Sequence, residues 1–244
     1  MKHSIIILMA SMLLSILCIS CGDDDDDDDN LVITVDDAAE YVAASMAVAT
    51  YGAVYNLDYM SEQIVELIDC NESESETRTD SETSNNGNIM VEFTISEDYS
   101  RTCSEGSEVI TYTFNADQNT TSERRDSDTE ILGSWTISGV ESSATAFTYN
   151  GTYSRGGEWT YNLEDNHTDN VTASFVYSNV KANKDDNIIF EGNATFSLVG
   201  TSTVYDPFTY EGTIVFLADN LCIATFSTGE QYEIDLNTGD VTPI

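Results

Sequence analysis

The sequence predicts a mainly β fold with one N-terminal helical segment, an α+β chain whose antiparallel strands, about ten, follow one another as a meander. Three observations carry this expectation. From Asn88 onward apolar residues recur at every second position: Ile89, Val91, Phe93 and Ile95, then Ile110, Tyr112 and Phe114, then Val171, Ala173, Phe175 and Tyr177. A period of two gives each strand one core face and one wet face, as in antiparallel sheets. Helical periodicity, by contrast, is confined to residues 36–69. Finally, glycine recurs in phase with the apolar face, as in Ile131, Gly133, Trp135, Ile137 and in Phe208, Tyr210, Gly212, Ile214. Interior glycine weakens a strand unless the sheet bends sharply or an aromatic ring covers the gap. The repeated glycines therefore predict a strongly curved or barrel-like sheet, with the helix packed on or inside its concave face.

The N-terminus comes first. Lys2 and His3 precede an apolar run from Ile5 to Ile19, too short to span a bilayer comfortably. It ends in "CISC", with small Ser20 before Cys21; Cys18 follows bulky Leu17 and fits less well. Residues 1–20 thus resemble a bacterial lipoprotein signal peptide, in which the cysteine after a small residue is acylated and becomes the mature N-terminus. Cys18 stands where that family usually has leucine. The resemblance implies lipidation at Cys21, and several acyl chains anchor a protein stably. Seven aspartates follow, Asp23, Asp24, Asp25, Asp26, Asp27, Asp28 and Asp29. Like charges in a run repel and stay extended, so residues 21–35 form a solvated linker. An acidic run directly behind the acylated cysteine also resembles the lipoprotein export signal of Bacteroidota. That implies a lipid-anchored protein of the outer membrane, facing the cell exterior. The run lacks the spaced ligands and turn glycine of a calcium loop.

Residues 36–70 form the helical segment. Thr34, Asp36 and Asp37 are capping and first-turn residues ahead of "AAEYVAASMAVATYGAVY". No charge occurs from Tyr41 to Leu57, as expected of a buried helix, and Ala39, Ala43 and Ala47 make a narrow face. "LDYMSEQIVELIDC" continues as a second helix or a kinked extension. Tyr41, Tyr51, Tyr55 and Tyr59 are expected in the core. Residues 71–87, "NESESETRTDSETSNNG", read as a polar acidic linker. Residues 88–244 form the antiparallel β-domain, one globular unit with the helix. Within it, Asn150-Gly151 of "FTYNG" fits either a strand interior or a hairpin turn. "LGSW" at 132–135 is similar to the Gly-x-Trp element of lipocalin-like proteins.

Three cysteines lie beyond the signal and Cys21. The preferred disulfide is Cys70–Cys103, with Cys222 a buried thiol in "NLCIATF"; Cys103–Cys222 is the alternative. With 44 acidic and 8 basic residues the formal charge is -36, which excludes nucleic acid as a partner and leaves the lipid anchor as the membrane contact. His167 is the one histidine beyond the signal, in "LEDNHTDN", and is expected to face solvent. One imidazole gives no metal set and no nucleophile motif, so neither cofactor nor metal is expected. The expectation is a non-enzymatic surface binding module for a glycan, an apolar small molecule or an envelope protein. An accessory subunit of an envelope complex ranks second and a carboxylate-pair hydrolase third.

Overall fold

A computed structural model describes residues 32–65, 68–83, 89–123, 125–162 and 167–244. Cys21 and Asp23–Asp29 lie outside the described residues. Helix α1 spans Val35–Met46 and opens with a reciprocal capping box: Asp37 N donates to Thr34 Oγ1 (3.2 Å) and Thr34 N donates to Asp37 Oδ2 (3.1 Å). Ala38, Ala39, Val42, Ala43 and Met46 are buried, as an uncharged alanine-rich run requires. The segment does not continue as one helix. A 3-10 turn, Val48–Thr50, leads through Gly52 to α2, Ala53–Tyr59, which widens into a π turn at Met60–Ile64. A Cβ at Gly52 would lie 2.6 Å from the Ser45 carbonyl oxygen, so only glycine lets the chain turn back against the end of α1.

Eleven antiparallel strands form one sheet in which each pairs with its sequence neighbours. They are β1 (Ser73–Thr83), β2 (Ile89–Ser104), β3 (Ser107–Ser122), β4 (Arg125–Ser138), β5 (Ala146–Tyr161), β6 (Thr168–Asn183), β7 (Ile189–Ser202), β8 (Phe208–Leu217), β9 (Leu221–Phe226), β10 (Gln231–Asp235) and β11 (Val241–Pro243). Val91, Phe93, Ile95, Ile110, Tyr112 and Phe114 are all buried, as the two-residue period predicts. In β6 the buried parity changes from Val171, Ala173, Phe175, Tyr177 to Val180, Ala182. The cause is a bulge: Ser178 and Asn179 are both exposed, Asn179 has φ 51°, and its amide donates to Asn150 Oδ1 (2.9 Å). Asn150-Gly151 lies opposite this bulge, inside β5 and not in a hairpin turn.

The in-phase glycines have a direct explanation. Gly133 pairs with Phe114, Gly151 with Trp135, Gly200 with Phe208 and Gly212 with Phe196. In each pair the ring lies over the strand opposite. A Cβ would fall 2.0 Å from a Phe114 ring atom at Gly133, and 2.2 Å from a Phe208 ring atom at Gly200. Glycine thus makes room for aromatic cover from the next strand.

Three expectations change. The sheet is not closed into a barrel. Closure needs first and last strands that match, but β11 has three residues and a proline, whereas β1 has eleven. Paired residues share a face, and β1 turns Glu74, Glu76, Arg78 and Asp80 to the same side as Tyr99, Glu97, Ile95 and Phe93. Such inward charges blunt an edge against further pairing. The lipocalin-like "LGSW" accordingly opens no barrel. It sits inside β4, with Gly133 under a ring and Trp135 buried. Second, Ser73–Thr83 is a strand and not a linker. Its polar outer side chains pair across the ladder, Thr77 with Ser96 and Thr79 with Thr94, both at 3.1 Å. The expected disulfide forms between Cys70 and Cys103, with Cα atoms 5.4 Å apart, and holds the start of β1 to β2. Cys222 is a fully buried free thiol whose pKa burial pushes up to about 12, so the Cys103–Cys222 alternative does not occur. The third change concerns His167.

Candidate functional site

Among the described residues, charged side chains on inward strand positions create three polar clusters in a mostly apolar core. Arg155 of β5, 3% exposed, donates from Nη1 to the carbonyls of Thr50 (2.9 Å) and Ala44 (3.3 Å), and from Nε to Thr129 Oγ1 (3.3 Å). It caps the Ala44 carbonyl at the negative end of α1 and the Thr50 carbonyl at the end of the following 3-10 turn. Burial brings its pKa down to about 10, which still leaves the guanidinium charged at neutral pH. Glu97 of β2, 2% exposed, accepts from Tyr112 OH (2.5 Å) and Arg78 Nε (3.2 Å). Arg78 also lies over the Tyr59 ring, 4.3 Å from its centroid, which joins β1 to the end of α2. In both clusters the charge is answered by groups of the protein itself.

The third cluster opens to a cavity of about 450 Å³. Asp169 stands two residues before Val171, on the buried face of β6, and is 1% exposed. Tyr161 ends β5 directly across the hairpin, and α1 brings Tyr41 over Trp159, rings edge-on at 5.7 Å. A hydrogen-bonded chain results. Tyr161 OH donates to the Tyr41 oxygen (2.6 Å), and Tyr41 OH donates to Asp169 Oδ2 (2.5 Å). Burial first, then Tyr161 and Asp169, pushes the Tyr41 phenol far above its ordinary range, so it remains a donor. Asp169 Oδ1 has no hydrogen-bond partner among the described residues.

His167 is not a solvent-facing loop residue. It stacks on Tyr161 (centroids 4.3 Å apart, planes at 12°) and meets Tyr205 edge-on at 5.6 Å. Its Nε2 lies 3.6 Å from Asp169 Oδ2, and its buried Nδ1 has no partner among the described residues. Stacking removes most of the ring from water, which a reading of the isolated loop does not reveal. Ile33, Asp37, Glu40, Ser122 and Arg125 complete the lining, and the Arg125 guanidinium lies 4.4 Å from the centroid of Trp159. Ser122 Oγ donates to the Arg125 carbonyl (2.6 Å) and accepts from the Arg125 amide (3.0 Å), so its hydroxyl is engaged within its own turn. The arrangement offers acceptor atoms and aromatic surface to a small polar guest.

Of the residues singled out in the sequence, Cys70 and Cys103 form their bond away from this cavity. Tyr41 and His167 come together here, with Asp169, which lies 128 residues from Tyr41 in the chain. One signal in the sequence marks the site: Asp169 interrupts an apolar face in phase with Val171, Ala173 and Phe175. The same signal marks Glu97 and Arg155. No protein-family model, curated protein or solved structure matches this chain.

Proposed function

We propose that this protein is a lipid-anchored, non-enzymatic binding module of the outer membrane's outer face, taking a small polar ligand in the cavity at Asp169. The single observation that carries the binding role is the cavity itself, lined by Asp169, whose buried Oδ1 has no donor among the described residues. Native proteins rarely leave such an atom unpaired without a functional reason. The address rests on Cys21 and the aspartates behind it. In this proposal the helical segment lies along the concave side of the open sheet and fills it. The buried run Ala38, Ala39, Val42, Ala43 and Met46 supports that placement, as do the bonds from Arg155 to Ala44 and from Val48 N to Leu236 O (2.8 Å). A filled interior favours a polar guest at the rim over an apolar guest inside.

Binding is tested by thermal-shift screening of the full chain in detergent against mono- and disaccharides, amino sugars and small polar metabolites. A ligand at ten times its Kd stabilises by about 1.4 kcal/mol, a rise of roughly 3–6 °C for a chain of this size. The rise is expected to vanish in Glu40→Trp, which fills the cavity from an exposed helix position. No shift with any compound overturns the binding role. The address is tested by protease treatment of intact cells. Digestion of the wild type, with protection of a variant carrying Gly/Ser in place of Asp23–Asp29, is the expected result. Protection of both overturns surface display.

A further inference from the structure

We infer that the cavity at Asp169 selects a small organic cation, a protonated primary amine on a compact polar body. This rests on the binding role proposed above and narrows it to one ligand chemistry. The first ground is the inventory of protons. Asp169 is almost fully buried, and the two tyrosine hydroxyls nearest it are already engaged. Tyr161 gives its proton to Tyr41, and Tyr41 gives its own to Oδ2, so neither serves Oδ1. An unpaired buried acceptor is destabilising, and more so when charged. A ligand that brings donors recovers that loss on binding.

The second ground is His167. Its Nε2 faces the Asp169 carboxylate at 3.6 Å, and in the neutral ring with its proton on that nitrogen Nδ1 is an acceptor. Nδ1 is also buried without a partner among the described residues. Among the described lining residues, the two buried atoms without a partner, Asp169 Oδ1 and His167 Nδ1 in that tautomer, are both acceptors. An ammonium group offers three donors and no acceptor, whereas a carboxylate or phosphate offers the reverse.

The third ground is charge. Among the described residues, Asp37, Glu40 and Asp169 line the cavity against one guanidinium, that of Arg125, which lies over the rings of Trp159 (4.4 Å) and Tyr161 (5.7 Å). The field of a chain with formal charge -36 adds to this bias and draws cations to the mouth. Tyr41 and Tyr161 supply ring surface that itself attracts an ammonium.

The test varies charge among small polyhydroxy compounds: isothermal titration of the full chain in detergent with glucosamine, glucose and gluconate. Glucosamine is expected to bind at least tenfold more tightly than glucose, with gluconate silent. Asp169→Asn is expected to weaken glucosamine by tenfold or more. Because a buried substitution can disturb folding, Glu40→Gln at the exposed rim is the second variant. It is expected to weaken binding about threefold with an unchanged melting temperature. Glucose binding as tightly as glucosamine overturns the cation inference and leaves the binding role standing, since hydroxyls would then be what is recognised. Tighter gluconate binding overturns it in favour of an anion held by Arg125. Glucosamine binding that neither variant weakens places the amine elsewhere and overturns the site. If none of the three binds, the cation inference falls; the binding role falls with it only if the broader screen yields no compound whose effect Glu40→Trp removes.

Discussion

Replacing Gly133 by alanine separates two physical effects of opposite sign. By strand propensity alone, Gly→Ala inside a strand stabilises by about 0.5–1 kcal/mol. The packing in β4 predicts the reverse. The new Cβ would lie 2.0 Å from Phe114 Cε1, where carbon atoms settle about 3.5–4.0 Å apart. The ring must move by about 1.5 Å, yet Phe114 is only 5% exposed and its ring centroid is 5.2 Å from that of Tyr112. Forcing a methyl into such a core costs about 1–3 kcal/mol. The net expectation is a loss of about 1–2 kcal/mol, a fall in melting temperature of roughly 2–8 °C. Urea and thermal unfolding followed by circular dichroism measure it. The companion is Phe114→Leu, which removes the ring from above Gly133. In that background Gly133→Ala is expected to be neutral or stabilising, giving a coupling of at least about 1 kcal/mol in the double-mutant cycle. A stabilising Gly133→Ala in the wild-type background, or strict additivity in the cycle, refutes aromatic cover as the reason for the in-phase glycines.

Three further outcomes are expected. Cys70→Ser with Cys103→Ser opens a link between residues 33 apart and lowers stability by about 4 kcal/mol on the chain-entropy estimate; a loss below about 1 kcal/mol in urea would show that other contacts already fix this connection. Glu97→Ala strands Arg78 and the Tyr112 hydroxyl and costs about 3 kcal/mol, with faster amide hydrogen exchange along β1; unchanged β1 protection would mean that the Arg78 contact does not hold that edge. Asp58 has its pKa raised to about 7, chiefly by burial and then by Glu62. Its folded form therefore holds the proton more tightly than its unfolded form, near 3.9. The stability it contributes is full below about pH 4 and is lost as pH rises through 7. Asp58→Asn is expected to stabilise by about 1 kcal/mol at pH 8, after allowance for solvent screening, and to do nothing at pH 4; an equal effect at both pH values contradicts this.

The strand faces were legible because burial enforces a period of two, and Val91, Phe114 and Phe175 lie where that period puts them. The disulfide was legible because its alternative required a cysteine in an apolar strand. β1 was not, since its outer face carries Ser and Thr and its inner face carries charge, so no apolar alternation marks it. The bulge at Asn179 was equally silent, because it depends on Asn150 of the adjacent strand. Barrel closure was over-read from the glycines, which answer to rings on neighbouring strands and not to a closed circumference. The site escaped because its members come from α1, β5 and β6. Yet Asp169, Glu97 and Arg155 each stand in phase with an apolar face, and a charge in that phase has to find a buried partner or a ligand.

The order of the strands has a kinetic consequence. Each hydrogen-bonded ladder joins neighbours in sequence, so the sheet extends without closing a long loop, and loop closure is what slows most β proteins. The helical segment obeys the opposite rule. Val48 N donates to Leu236 O and Ala49 N to Asn237 O, contacts that span nearly the whole described chain. They wait for the last strands to form. Because a chain is made N-terminus first, the alanine-rich helix appears before every strand and finds its final neighbours last. During that interval an apolar surface stands uncovered, and the time it stays so is set by how fast ten successive hairpins close.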